Sequence, residues 1–254
     1  MSDFLRRIYP EFDAGGYHHA NGRVAFFTRL ASILPKEAHV LDFGAGRGRF
    51  SYGESEGARV HTDLTGRVAR FAAFDVDPVV LENPDTEDRH HAKVGAPLPF
   101  QDNSFDIIFS WMVFEHIADP AFYAAELDRI LRPGGWICAG TPNKWGLTGI
   151  ITRAVPNKMH VGVLRKLAPQ RKEEDVFPTT YRLNTRQTIR RFFAPEDYQD
   201  CSYFMTTGAA YHGNKMLLAR LWMFYNWLMP PSLRPQFHIF LRKKRANQPS
   251  AEKT

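Results

Sequence analysis

Short apolar runs alternate with amphipathic stretches along the first half of the chain. HVLDF (39–43), RFAAFD (70–75), HAKVG (91–95) and FDIIFSW (105–111) read as strands. The last is the strongest, filled by β-branched and aromatic residues. PAFYAAELDRIL (120–131) places apolar residues at helical spacing, with Pro120 suited to a first turn and PGG at 133–135 read as the stop. GWICAGT (135–141) is a fifth strand. Alternation of this kind predicts an α/β fold, a parallel sheet covered by helices. Farther on, NTRQTIRRFF (184–193) predicts a helix capped by Asn184 or Thr185, and CSYFM (201–205) and FHIFLR (237–242) predict late strands.

Three segments break the pattern. RFSYGESEGARVHTDLTGR (49–67) is a poor helix with two internal glycines, so a short helix with an added loop is expected after the first strand. Residues 145–183 read as an insertion, either a cap over a site or a surface loop with one helix. NKMLLARLWMFYNWLMPPSLR (214–234) is apolar from Met216 to Met229 except for Arg220 and Asn226, too short to span a bilayer. Its apolar arc at helical spacing is wide. Two readings follow: burial against the sheet or the insertion, or a helix lying in the interface of an anionic membrane. The resulting division is a core at 1–144, an insertion at 145–183, the rest of the sheet with the apolar helix at 184–242, and a polar tail at 243–254.

Charge changes the picture of the second half. The net charge of the 254 residues is +6. Residues 1–150 hold 15 Lys and Arg against 20 Asp and Glu, which is −5; residues 151–254 hold 18 against 7, which is +11. The C-terminal part therefore either faces something anionic or presents a solvated basic surface. Two cysteines without CxxC spacing argue against a disulfide framework or a zinc site, and MSDFLRRIYPEFD lacks the apolar core of a signal peptide. A cytoplasmic protein, with membrane-peripheral attachment as the variant, is the expectation.

The candidate chemistry starts at VLDFGAGRGRF (40–50). In α/β sheets ligands sit beyond the carboxyl ends of the strands. Asp42, Gly44, Gly46 and Gly48 occupy that place on the first strand. Arg49 stands where a dinucleotide fingerprint would have its third glycine, and Asp75 closes the second strand as FDVDP, farther on than that fingerprint expects. The pattern suits a nucleoside-containing cofactor, or a tight turn with no ligand.

VLDFGAGRG, FDVDP, LPFQDNSFDIIFSWMVFEHI and ELDRILRPGGWICAGTPN, in that order over about residues 20–145, resemble the class I S-adenosylmethionine-dependent methyltransferases. The closest resemblance is to the methyltransferase-11-like group that acts on small molecules, lipids and quinones. It implies a Rossmann-like, doubly wound sheet of seven strands with the last antiparallel, and S-adenosyl-L-methionine as cofactor. It also implies roles by position. Gly44, Ala45 and Gly46 would border the methionine part, and Asp42 would orient the loop. Asp75 would take the ribose hydroxyls, Val76 one adenine face, Pro97 and Leu98 the other. Ser110 and Trp111 would line the transfer pocket. His18, His19 and Arg23 fall in the segment that covers the cofactor; Arg23 either pairs with its carboxylate or is a surface arginine. Val94 replaces the acid that often receives the adenine amino group, which leaves adenine recognition to main-chain groups.

For the acceptor, His116 beside Glu115 is the candidate general base, or else the pair only shapes the loop. Met112 occupies the first acidic position of a Glu-Glu-His metal set found in quinone-related relatives, so no metal is expected. The sequence has no NPPY-like motif and no Pro-Cys pair, and no RNA-binding module is recognisable. An oxygen or nitrogen of a small-molecule, saccharide or lipid-linked acceptor is the favoured target. An RNA-directed methyltransferase and a non-catalytic binder are the alternatives, and a nicotinamide enzyme is disfavoured by the glycine spacing.

Overall fold

The computed structural model describes residues 2–48, 55–154, 178–209 and 215–245. Its elements run α1 (Ser2–Ile8), α2 (Gly22–Ser32), β1 (His39–Phe43), α3 (Glu56–Thr62), β2 (Arg70–Asp75), β3 (Asp88–His91), β4 (Phe105–Trp111), α4 (Pro120–Ile130), β5 (Leu131–Pro142), α5 (Leu147–Ala154), α6 (Arg186–Phe192), β6 (Tyr198–Asp200), β7 (Tyr203–Met205), α7 (Met216–Leu228) and β8 (Gln236–Lys243).

The strands form one sheet in the order β3-β2-β1-β4-β5-β8-β6, with β7 also pairing β8. β1 to β5 are mutually parallel, and β8 runs antiparallel to β5. The sheet has eight strands rather than seven because its last edge is broken in two. β6 pairs Leu241–Lys243 and β7 pairs Gln236–His238. Between them Cys201 N–H donates to Phe240 O, and Ser202 Oγ accepts from Phe240 N–H. The predicted strand at 201–205 is therefore its second half only.

Apolar alternation explains the packing. Odd and even positions of β1, β2 and β4 serve two separate cores. Leu41, Phe43, Phe74 and Ile108 join α4 and α6 on one face; Val40, Phe71, Ile107 and Phe109 join Phe26, Phe27 and Leu30 of α2 on the other. Caps fix the helix starts: Asn21 for α2, Ser55 for α3, Asp119 before Pro120 for α4, and Thr185 with a reciprocal Thr188 bond for α6.

Three sequence expectations are corrected. The third strand is Asp88–His91, not 91–95, because its pairing with Ala72–Asp75 sets the register. It is a polar edge strand held by Arg70 Nε on Asp88 Oδ2 at 2.7 Å. The PGG sequence does not end α4. The helix stops at Ile130 and β5 starts at once, with Arg132–Gly135 looped out between the Phe105–Leu131 and Ile107–Trp136 pairs. The 214–234 stretch also does not bury its apolar arc against the sheet: in α7 only Ala219, Trp222 and Asn226 are buried. Most of the 145–183 insertion, its segment 155–177, lies outside the described residues.

Candidate active site

The glycine loop follows β1, and its main-chain donors are spent on the protein itself. Gly44 N–H and Ala45 N–H both donate to Phe74 O, at 2.8 and 3.0 Å. Gly46 N–H donates to Asp75 Oδ2 at 2.8 Å, and Gly48 N–H to Ala45 O at 3.0 Å. The loop is thus laced to the end of β2. Two glycines are needed for different reasons. At Gly44 a Cβ would lie 2.3 Å from Val113 Cγ2, so the bare backbone admits the chain after β4. At Gly46 φ is +49° and a Cβ would meet nothing closer than Asp75 Oδ2 at 3.8 Å. That side stands open, and the left-handed backbone is what favours glycine.

Asp75 closes β2 and its two oxygens are divided. Oδ2 takes Gly46 N–H, and Oδ1 takes Asp77 N–H at 2.9 Å. Burial holds its carboxyl above the ordinary range, although the N–H groups of Asp77, Gly46 and Val76 pull it down. Each oxygen keeps a lone pair for a further donor. Asp42 is buried in β1 between Ala73 of β2 and Phe109 of β4, and Ala45 is buried beside Ala73 and Val80. Sequence reasoning missed Asn83. It is fully buried, and its Nδ2 reaches Gly46 O at 3.3 Å and Ala45 O at 3.5 Å. Only its Asn-Pro context hinted at a fixed turn.

The 96–102 segment lies between β3 and β4. Pro97 is exposed and Leu98 buried. α4 clamps this segment: Glu126 Oε2 accepts Leu98 N–H at 2.6 Å, while Arg129 donates to Leu98 O, Phe100 O and Asp102 Oδ1. Val94 is exposed and carries no polar group toward the site. Val76 is half-buried against the core.

At the end of β4, alternation separates the two residues expected to line one pocket. Ser110 is buried, and its Oγ has no hydrogen-bond partner among the described residues. Trp111 turns to the other face, its ring over Gly140 and against Phe26, Phe27 and His238. Met112 then takes a left-handed backbone, φ +60°, with its N–H on Gly140 O at 2.7 Å. Strain of this kind concentrates at functional sites.

Glu115 and His116 follow. Glu115 is buried; its Oε2 accepts from Thr141 Oγ1 at 2.8 Å, which accepts from Asn184 Nδ2 at 2.5 Å. His116 Nδ1 lies 3.1 Å from Pro178 O, and Nε2 lies 3.9 Å from Glu115 Oε1. A carbonyl only accepts, so Nδ1 carries the hydrogen and Nε2 is the acceptor nitrogen of the neutral tautomer. Thr141 was not foreseen, and Asn184, a cap candidate in the sequence, leaves the cap to Thr185; the two meet only because the segment before α6 returns to the end of β5.

The N-terminal segment lies across the same edge. Ser55 Oγ donates to Gly16 O, Tyr17 OH meets His61 Nε2 at 3.1 Å, and Gly208 N–H donates to Ala20 O. His18 stacks on Tyr9, whereas His19 points to Glu11 on the surface. Arg23 is half-buried in the first turn of α2, its guanidinium over Phe27. Gly22 abuts Gln236 at the start of β8, so the N-terminus of α2 stands at the carboxyl edge of the sheet.

The comparisons with known proteins bear on this edge. A family model described as methyltransferase domain matches residues 41–139, from β1 into β5. The match over residues 41–139 supports a class I S-adenosylmethionine-dependent methyltransferase domain. A probable S-adenosylmethionine-dependent methyltransferase of Mycolicibacterium smegmatis is 34% identical over 131 residues, 47% of this chain and 46% of that protein. The chain thus spans less than half the length of the curated relatives it matches first. Two solved structures share the fold. One belongs to the complex between the Haloferax volcanii Trm112 methyltransferase activator and the putative methyltransferase, with TM-score 0.53, 16% identity, and coverage of 95% of this chain and 99% of that one. The other is a putative sarcosine dimethylglycine methyltransferase from Galdieria sulphuraria, with TM-score 0.50, 16% identity, and coverage of 87% and 84%.

The match supports S-adenosylmethionine as the cofactor, and the residues present suit that group. Asp75 offers spare acceptor capacity to a vicinal diol, the Gly44–Gly46 backbone offers a surface without side chains, and the Ser110 hydroxyl is buried near the carboxyl end of β4 without a hydrogen-bond partner among the described residues. The methyltransferase domain also contains the Glu115–His116 pair, whereas Thr141 and Asn184 lie outside the matched range.

Proposed function

We propose that the protein transfers a methyl group from S-adenosylmethionine to an oxygen or nitrogen of a small-molecule, saccharide or lipid-linked acceptor. One observation carries the reading: the glycine loop and Asp75 are bound to each other at the carboxyl ends of β1 and β2, with open space at Gly46 and unused acceptor capacity on Asp75.

The cofactor supplies an electrophilic methyl on a sulfonium. The chain has then to hold the two reactants in line and keep water out, which is worth roughly 7–11 kcal/mol of the barrier. Asp75 accepts from the ribose hydroxyls, and Val76, Pro97 and Leu98 border the adenine. The clamp from Glu126 and Arg129 holds Leu98 in place. His116 Nε2 would take the acceptor's proton, and the imidazolium so formed would lie next to the Glu115 carboxylate. A general base of this kind contributes roughly 10²–10⁴-fold. The base's tautomer is set by Pro178 O and its carboxylate is held by Thr141.

Titration calorimetry with S-adenosylmethionine and with NADH tests the reading. Binding of the first and not the second is expected; the reverse result sinks it.

A further inference from the structure

α7 is an amphipathic helix turned outward. Its buried stripe is Ala219, Trp222 and Asn226, with Trp222 Nε1 and Asn226 Nδ2 both donating to Thr207 O. The opposite face is its most apolar one. Leu217, Leu221, Phe224 and Leu228 recur there at helical spacing and all are exposed, Leu217 to 69%; Trp227 beside them is 78% exposed. Trp145 and Ile150, exposed around α5, enlarge the patch, and Leu147 N–H donates to Tyr225 OH of α7. Soluble proteins rarely leave so many large apolar side chains together in water.

The rim says what covers them. Lys215 and Arg220 of the α7 region are exposed, and Arg153 and Lys144 stack over Trp145 at 5.1 and 5.9 Å. The sequence holds no Asp or Glu from 129 to 172 or from 201 to 251. Two copies joined through this face would bring like charges together, which disfavours self-association. Tryptophan, phenylalanine and leucine at the tips with lysine and arginine at the rim match a lipid interface of negative charge.

We infer that the α7 face with Trp145 docks onto an anionic membrane surface. The patch lies on the edge of the sheet where the cofactor site lies: β8 starts at Gln236, beside Pro142 at the carboxyl end of β5, just after α7. Docking would therefore set the site against the bilayer, where a lipid-borne acceptor reaches it; this consequence rests on the methyl-transfer reading, the docking does not.

Co-sedimentation with vesicles tests the docking. Binding is expected with phosphatidylcholine vesicles containing phosphatidylglycerol, not with phosphatidylcholine alone, and it should weaken as salt rises. The Phe224→Ser/Trp227→Ser variant, altered only at exposed positions, should keep its melting temperature and its cofactor affinity while losing about tenfold or more in vesicle binding. Protein left in the supernatant with anionic vesicles at low salt overturns the inference, as does equal binding to both vesicle types. A vesicle-free dimer that the same variant dissolves also overturns it, in favour of a second copy. Vesicle binding without S-adenosylmethionine binding leaves the docking standing and removes the proposed function.

Discussion

Asp75 shows how much one side chain does at the cofactor edge. Its carboxylate fastens the glycine loop through Gly46 and the following turn through Asp77, and has capacity left for a diol. Hydrogen bonds to a charged group are worth ~1.5–3 kcal/mol, so Asp75→Ala is expected to weaken S-adenosylmethionine binding at least about tenfold. The milder Asp75→Asn keeps one acceptor and should fall between. The pH dependence follows from burial. The carboxyl of the free protein sits above the ordinary range, and only its ionised form accepts from both hydroxyls. Affinity should thus be full at neutral pH and decline as pH falls, starting above the pH at which a solvated Asp protonates; Asp75→Ala should lack this component. Calorimetry across pH measures both. An unchanged affinity in Asp75→Ala would move the ribose anchor, and Asp77, whose Oδ1 now caps Val79 N–H, would be next.

At the scale of elements, α4 joins sequence-distant parts of the site. Glu126 and Arg129, three residues apart, grip the main chain from Leu98 to Phe100. Arg129 holds the Glu126 carboxyl below its ordinary range. Glu126→Ala frees Leu98 N–H and removes a partner of Arg129. A loss of about 1–3 kcal/mol in denaturant unfolding is expected, with weaker cofactor binding beside it, and Glu126→Gln should cost less. Retained stability and affinity in Glu126→Ala would show the clamp to be decorative. This clamp was not legible in the sequence, because Glu126 and Arg129 read as an ordinary surface pair on a helix. β1, β2 and β4 were legible since each buries both faces and so reads as an apolar run. β3 was not: an edge strand of Asp, Arg and two His carries no apolar signal, and only its ladder with β2 places it. α7 was seen as a helix, but its direction was hidden, since a wide apolar arc does not say which side meets the protein.

For the whole molecule, burial of histidine couples the fold to pH. His238 is fully buried where β8 meets α2 and Trp111, its Nδ1 3.0 Å from Tyr203 OH, which in turn receives Arg29 Nε. Burial, aided by Arg29, lowers its pKa to about 3, and burial lowers that of His18, across the edge under Tyr9 and Gly208, to about 4. Both folded-state values lie below the usual 6.5, so the unfolded chain takes up protons first as pH falls. Stability from these two groups is complete above about pH 6.5 and is lost on acidification toward about 4 and about 3. Within that window each pH unit removes up to about 1.4 kcal/mol per group, and less for the partly exposed His18. His238→Phe keeps a ring of similar size among Phe26, Trp111 and Tyr203 but cannot be protonated. It should lose about 0.5–1.5 kcal/mol at neutral pH, because the Tyr203 hydrogen bond goes. Its melting temperature should then fall less steeply than that of the unaltered protein between about pH 6.5 and pH 4. Parallel acid limbs in thermal melts of the two proteins would show that the acid sensitivity of the fold arises elsewhere.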